Sequence, residues 1–367
     1  MSRPKAIALY NFDHGFDGPT TFRLGPYEIN VSAAQVRTAG KLSRHARIHF
    51  TSDGQGRPAI LEELPKPGRL AQTARVRVIP PLPEGQPFLG GPPDTDGTGD
   101  LCTLLSFMTG RRVLVRDELT GFEGTYHGER VVGRNYFHTV GAHWPNLAAI
   151  RQEGLASALW ALIQSNSTND LIGKMCYASA ALDSIVTRWF KSQPSEPGAG
   201  DSDKVDSARK AIVKAIRAEF GESQMGQDAL AGVGRLFTPS AWTKLATYLK
   251  AKGYLSSAPA KGEIERAKLL NSVRNRVVHT ADVPSELHHD IERRGEIAAA
   301  VLAITTTICE CHLAATMNLH DFQIDNSQQD VARFFTSGEL RGHRVFDEGY
   351  ASFAARVERE WLCREEL

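Results

Sequence analysis

Arg274, Asn275 and His279 are the residues whose types and spacing best suit chemistry. The run Arg274-Asn275-Arg276-Val277-Val278-His279 sets a guanidinium, an amide and an imidazole within two turns of a helix. At 3.6 residues per turn Asn275 and His279 share a face, and Arg274 lies beside them. Such a group can hold a phosphate while the imidazole moves a proton to or from an oxygen. Arg276 and Lys268 extend the basic character and are the expected contacts to further phosphate groups. The bare spacing recurs at Arg44-His45-Ala46-Arg47-Ile48-His49. There Ala46, Ile48 and Phe50 alternate with polar residues, which predicts a strand with Arg44 and His49 on opposite faces and hence only a solvated surface.

The element that must position the first group is a helix over Glu263 to Thr280. Leu269, Leu270, Val273 and Val277 are expected to form its core side, with Arg266, Lys268, Arg274, Asn275, Arg276 and His279 on the flanks. Pro284 drives the chain out of helix by Val283. His279 then falls in the last turn, at the negative end of the helix dipole, a place suited to a group that hands a proton to a leaving oxygen.

Two metal readings are set aside. Cys309-Glu310-Cys311-His312 lacks a second ligand pair, and positions two apart on a helix diverge, so it does not make a zinc site. Asp94, Asp96 and Asp100 lie near Pro92-Pro93 without a downstream Glu, which fits a surface turn better than a calcium loop.

Around these residues the pattern changes once along the chain. Residues 1–140 read as β-rich, with runs at Tyr27 to Val31, Ala46 to Phe50, Arg75 to Ile79 and Arg111 to Val115 separated by Gly and Pro. Pro80 to Gly99 holds six prolines and five glycines, a loop, after which Asp100 is placed to cap a helix over Leu101 to Thr109 that Gly110 ends. Residues 141–320 carry helical periodicity: Leu147 to Gln164, Asp170 to Lys191, Lys204 to Phe220, Pro239 to Lys252, Lys261 to Thr280 and Pro284 to Met317. Ser192 to Asp203 is a polar connection rich in Pro and Gly between two of them. Residues 321–367 add a helical extension with helices over Ser327 to Phe335 and Asp347 to Arg364. The expected class is α+β: a β-rich amino-terminal domain, an all-α bundle and a helical carboxy-terminal tail.

Composition narrows the function. With 41% hydrophobic and 23% charged residues in 367, the chain is ordinary globular material. A net charge of +1 argues against coating long nucleic acid and for a local pocket around a few arginines. Five scattered cysteines fit a reducing compartment, and Ala6 to Tyr10 is too short for a signal core, so a cytoplasmic location is expected. Ile297 to Met317 is apolar but interrupted by Glu310 and His312, which predicts a buried helix and no membrane partner.

The Arg274-Asn275 to His279 run resembles the active-site signature of the HEPN ribonucleases, all-helical domains in which an arginine and a polar residue precede a histidine. Tyr177-Ala178-Ser179-Ala180-Ala181-Leu182-Asp183-Ser184 resembles the early helix of that family, with Asp183 in the acidic position. Asp stands where Glu is commoner, which shortens the reach of the carboxylate. The resemblance covers roughly Leu147 to Met317 and is closest to the ApeA-like branch, where a β-rich domain precedes the HEPN domain in bacterial anti-phage defence. Asp100 to Gly110 is reminiscent of that preceding domain. What the resemblance implies is RNA cleavage without metal or cofactor, by attack of a ribose 2′-OH. His279 would transfer protons, Arg274 would stabilise the phosphate, Asn275 would position it, and Asp183 would pair with Arg274 or orient His279. It also implies a homodimer with both motifs facing one cleft. The amino-terminal domain lacks catalytic groups of its own, so it is expected to recognise a trigger, of phage origin, or to restrain the nuclease. Two other expectations stand beside it: a HEPN-like module that serves dimerisation or nucleic-acid sensing and does not cut, and the toxin of a pair with an antitoxin partner.

Overall fold

The computed structural model describes residues 6–45, 48–50, 56–58, 70–79, 98–116, 130–139, 144–168, 170–193, 202–236, 239–281, 291–340 and 343–344. Strands β1 (Ile7–Tyr10), β2 (Thr20–Leu24) and β3 (Tyr27–Val31) precede helix α1 (Ala33–His45), strands β4 (Ile48–Phe50) and β5 (Gly56–Pro58), and β6 (Gln72–Val78). A four-stranded antiparallel sheet runs in the order β1-β6-β3-β2. Burial alternates as a half-covered sheet requires: Tyr27, Ile29, Val31, Ala74 and Val76 are buried, whereas Asn30, Arg75 and Arg77 face solvent. The β2-β3 hairpin turns through Gly25-Pro26. Gly25 takes φ +55°, and a Cβ there would lie 2.8 Å from the Trp144 ring, so conformation and close approach both demand glycine.

Two strand expectations are corrected. Arg44 and His45 are the last residues of α1, and among the described residues of the expected run Ile48–Phe50 is strand, paired with β5. The helix starts at a capping box: Gln35 Oε1 accepts from the Ser32 N–H at 2.8 Å and Ser32 Oγ from the Gln35 N–H at 3.4 Å. Arg111 to Val115 forms no strand but a single bridge, Leu114 to Tyr10. Side chains take over there, because the Val113 N–H donates to Ser106 Oγ at 2.8 Å and Arg111 is drawn to Asp13 at 2.7 Å.

Among the described residues ten further α-helices follow: α2 (Gly99–Thr109), α3 (Leu147–Gln152), α4 (Ala156–Ser167), α5 (Leu171–Lys191), α6 (Ser202–Phe220), α7 (Gln224–Leu236), α8 (Ala241–Ala251), α9 (Lys261–Thr280), α10 (Ile291–Thr316) and α11 (Phe322–Ser337). The short strands β7 (Glu339–Leu340) and β8 (His343–Arg344) come after them. This is the expected α+β layout of a small sheet followed by a mostly helical region with a helix on its carboxy-terminal side. The run expected as one helix from Leu147 to Gln164 is two, because Gly154 at φ +67° breaks it between α3 and α4. In α2 the N-cap is Thr98, without a side-chain bond, while Asp100 inside the first turn meets Arg151 at 3.3 Å. Gly110 ends that helix in the left-handed conformation, as expected.

The chain forms two compact units, Met1–Ile185 with Lys261–Leu367, and Val186–Ala260. The domain boundary expected at residues 140 and 141 lies outside the described residues, as do the helix expected over Asp347 to Arg364 and the residues 282–290 around Pro284. Within the first unit α10 packs against α3, α4, α9 and α11. The 18-residue apolar window within Arg294–Thr316 is 72% buried, so this is a core helix of the unit. Ile304, Ile308 and Leu313 are fully enclosed, and each such side chain contributes roughly 1.5–3 kcal/mol. That burial fixes α9 on the core. The second unit holds α6, α7 and α8 with the last turns of α5, where the Trp189 ring stands edge-on to Tyr248 at 5.3 Å.

Candidate functional site

Helix α9 occupies the expected span. It ends at Thr280, where Ala281 adopts φ +52° and its N–H returns to the Val277 carbonyl at 2.9 Å. His279 is in the last turn and exposed. Arg266, on an earlier turn, donates to the Phe335 and Thr336 carbonyls at 2.6 and 2.7 Å and so caps the end of α11.

Arg274 does not lie on the flank. Ala267, Leu270, Val273, Arg274 and Val277 form one buried stripe, and Arg274 is only 2% exposed. The spacing explains it, since positions 270, 273, 274 and 277 repeat at three and four residues and share the inward side. Its guanidinium meets α5: Nη1 is 2.6 Å from Asp183 Oδ1, and Nη2 donates to Asn271 Oδ1 at 3.2 Å and Asn275 Oδ1 at 3.4 Å. The contact to Asp183 is close but off the hydrogen-bond direction, so Nη1, like Nε, is a buried donor without a directed acceptor. Asp183 itself is 60% exposed. The cation therefore sits inside, and the carboxylate stands between it and solvent.

The structure thus brings together Arg274, Asn275 and Asp183 from two helices distant in sequence, and adds Asn271, which the sequence reading missed although it lies one turn before Asn275. Of the two partners expected for Asp183, Arg274 is the one it meets. His279 makes no hydrogen bond or ion pair with Asp183 or Arg274 among the described residues. Lys268 is exposed two turns earlier on the Asn275 and His279 side, and Arg276 is half-buried. A third helix closes the floor. Cys309 of α10 is fully enclosed, with Sγ 4.0 Å from the Ala178 carbonyl. Burial pushes its thiol well above the usual range, Glu310 and Asp183 push the same way, and Arg274 opposes them.

A second charged cluster escaped the sequence reading because its members are scattered. Asp13 lies 2.7 Å from Arg111 and 3.1 Å from Arg130, and Arg130 also donates to the Asp13 carbonyl at 2.8 Å. Burial alone would raise the Asp13 carboxyl, but Arg111, Arg130 and Arg134 together hold it below its ordinary value. Next to it His14 is fully enclosed, its Nδ1 accepting the Phe16 N–H at 3.0 Å. Burial lowers that imidazole to about 4. This cluster ties the loop after β1 to the segments around residues 111 and 130. It offers structure more than chemistry, because its carboxylate is already engaged.

In comparisons with known proteins, no family model, curated protein or solved structure matches this chain.

Proposed function

We propose that the protein is a metal-independent endoribonuclease of the HEPN type. The observation that supports it is the meeting of Arg274 with Asp183 at 2.6 Å, with Asn275 on the same guanidinium and His279 one turn further along the same helix. On this reading a ribose 2′ oxygen attacks the adjacent phosphorus, the bond from phosphorus to the 5′ oxygen breaks, and a 2′,3′-cyclic phosphate and a 5′-OH result. An imidazole takes the 2′ proton and an imidazolium delivers one to the 5′ oxygen, a shuttle that consumes nothing. In a homodimer two copies of His279 would supply both. On this reading the substrate phosphate takes the place of the Asp183 carboxylate at Arg274, with which it shares charge and oxygen geometry. Arg276 and Lys268 are the further phosphate contacts. The setting we infer is cytoplasmic anti-phage defence, with the sheet-containing amino-terminal region answering a trigger.

A second reading is a HEPN-like module that binds and does not cut, and the burial of Arg274 favours it, since a guanidinium 2% exposed is also a core strut. One experiment separates the two. The pure protein is incubated with mixed cellular RNA and EDTA, and then with an oligonucleotide carrying a single 2′-deoxy sugar at the mapped cut site. Cleavage with cyclic-phosphate ends that stops at the deoxy site is expected. Cleavage that needs magnesium, or that persists at the deoxy site, overturns the mechanism, and no cleavage of any RNA favours the binding module.

A further inference from the structure

The charge of this chain is not evenly spread. The compact unit Val186–Ala260 carries eleven Lys and Arg against seven Asp and Glu, a net +4 in a chain whose total is +1, so the remainder carries −3. Much of the excess is on α6. Lys210, Lys214 and Arg217 are exposed, and at 100° per residue they fall within an arc of about 60° over a rise of about 10 Å. Lys210 and Lys214 are four apart, and Lys214 and Arg217 three apart. Like charges so placed repel one another.

Asp206, one turn before Lys210 on the same side, is 3.9 Å from Arg209, and Glu219 lies on the opposite side of the helix. Among the described residues Lys210, Lys214 and Arg217 form no ion pair with an acidic group. The apolar residues Val205, Ile212, Val213 and Ile216 are half-buried, and α7 is the element packed against α6. The apolar side thus packs against α7, while Lys210, Lys214 and Arg217 are exposed among the described residues. At the end of the stripe Phe220 is 39% exposed and Met225, on α7, 66%.

We infer that the cationic face of α6 is a docking surface for the phosphodiester backbone of a nucleic-acid strand. A strand presents a negative charge about every 3.4 Å of duplex axis, so a stripe of this length meets about three phosphates. Phe220 offers a ring on which a base can stack. A lipid surface fits less well, because insertion needs the apolar residues that α7 already covers. The contact reads charge and not sequence, so RNA and DNA strands bind alike. The inference is independent of whether Arg274 and His279 cut RNA.

The test uses the full chain and a labelled 20-nucleotide 2′-O-methyl RNA, which a 2′-OH mechanism cannot cleave. Binding is followed by anisotropy from 0.05 to 0.5 M salt for the wild type, for Lys210→Gln/Lys214→Gln/Arg217→Gln, and for the control Lys250→Gln/Lys252→Gln/Lys261→Gln. Each lost phosphate contact to a single strand lowers the slope of log affinity against log salt by about 0.7. The α6 variant should therefore lose about 2 from the slope and about 100-fold in affinity at 0.1 M salt, while the control keeps the wild-type slope. Equal slopes in wild type and α6 variant, or absence of wild-type binding, overturn the inference. So does tighter wild-type binding to phosphatidylserine vesicles that the α6 variant alone loses. Intact binding without cleavage of ordinary RNA would sink the nuclease reading and leave this one standing.

Discussion

Replacing Arg274 by Met separates a residue kept for function from one kept for stability. The guanidinium is 2% exposed and two of its nitrogens, Nε and Nη1, lack a directed acceptor. Buried donors left unmade cost about 1–3 kcal/mol each, so the wild type carries roughly 2–6 kcal/mol of unfavourable desolvation at this point. Against that stand the ion pair to Asp183 and two bonds from Nη2. Asp183 is 60% exposed, so solvent screens the pair to about 1 kcal/mol or less. The Nη2 bonds, at 3.2 and 3.4 Å, add about 1 kcal/mol each. A Met side chain fills most of the space and leaves Asp183 in water. The variant should fall between about 1 kcal/mol less and about 3 kcal/mol more stable than the wild type, in line with other replacements of buried ion pairs by apolar groups. At about 2–4 °C per kcal/mol, thermal melts should show a Tm from about 4 °C below to about 12 °C above the wild type. The same variant should cleave no RNA. A Met variant destabilised by more than about 3 kcal/mol would refute the reasoning, because Arg274 would then be holding α5 and α9 together.

Other outcomes are expected from the same geometry. His279→Ala should melt within about 0.5 kcal/mol of the wild type, because the residue is exposed, yet lose RNA cleavage; a variant keeping more than a small fraction of activity ends the proton-transfer role. His14 is held near 4 by burial, with Arg111 and Arg130 acting the same way and Asp13 and the Gln35 backbone opposing. Its unfolded form takes the proton more readily, so its contribution is full above about pH 6.5 and is lost as pH falls toward 4, about 3 kcal/mol in all. Urea midpoints from pH 7 to 4 should fall more steeply for the wild type than for His14→Gln, and equal slopes would contradict this. Cys309 and Cys311, both buried, should react with a thiol reagent only at the rate of unfolding, well after the half-exposed Cys102 and Cys176.

Much of the helical half was legible because its segments are long and their periodicity is carried by several residues at once. Lys261 to Thr280, expected from spacing alone, is helix over that same span. Short elements were less legible. The helix α1 was hidden because its amino-terminal signal is the Ser32 and Gln35 capping box, while its end runs into a stretch that alternates like a strand. Helix α7 shows little helical pattern in its sequence because Gly226, Gly232 and Gly234 dilute it. The strand expected at Arg111 failed for a tertiary reason, since its backbone and side chains are claimed by Ser106 and by Asp13 from distant parts of the chain.

At the site, residue types told more than placement did. A reading that sorts apolar residues inward and charged residues outward puts Arg274 on the flank of α9, yet its register with Leu270, Val273 and Val277 makes it part of the inward stripe. The charge can be there only if something answers it. Asp183 of α5, 2.6 Å from Nη1, is that group. A purely structural origin would favour an apolar residue at position 274, where one would pack without the two unmet donors. On the proposed reading the charge of this buried guanidinium has a use, on the structural reading it has none, and the stability of the Met variant decides between them.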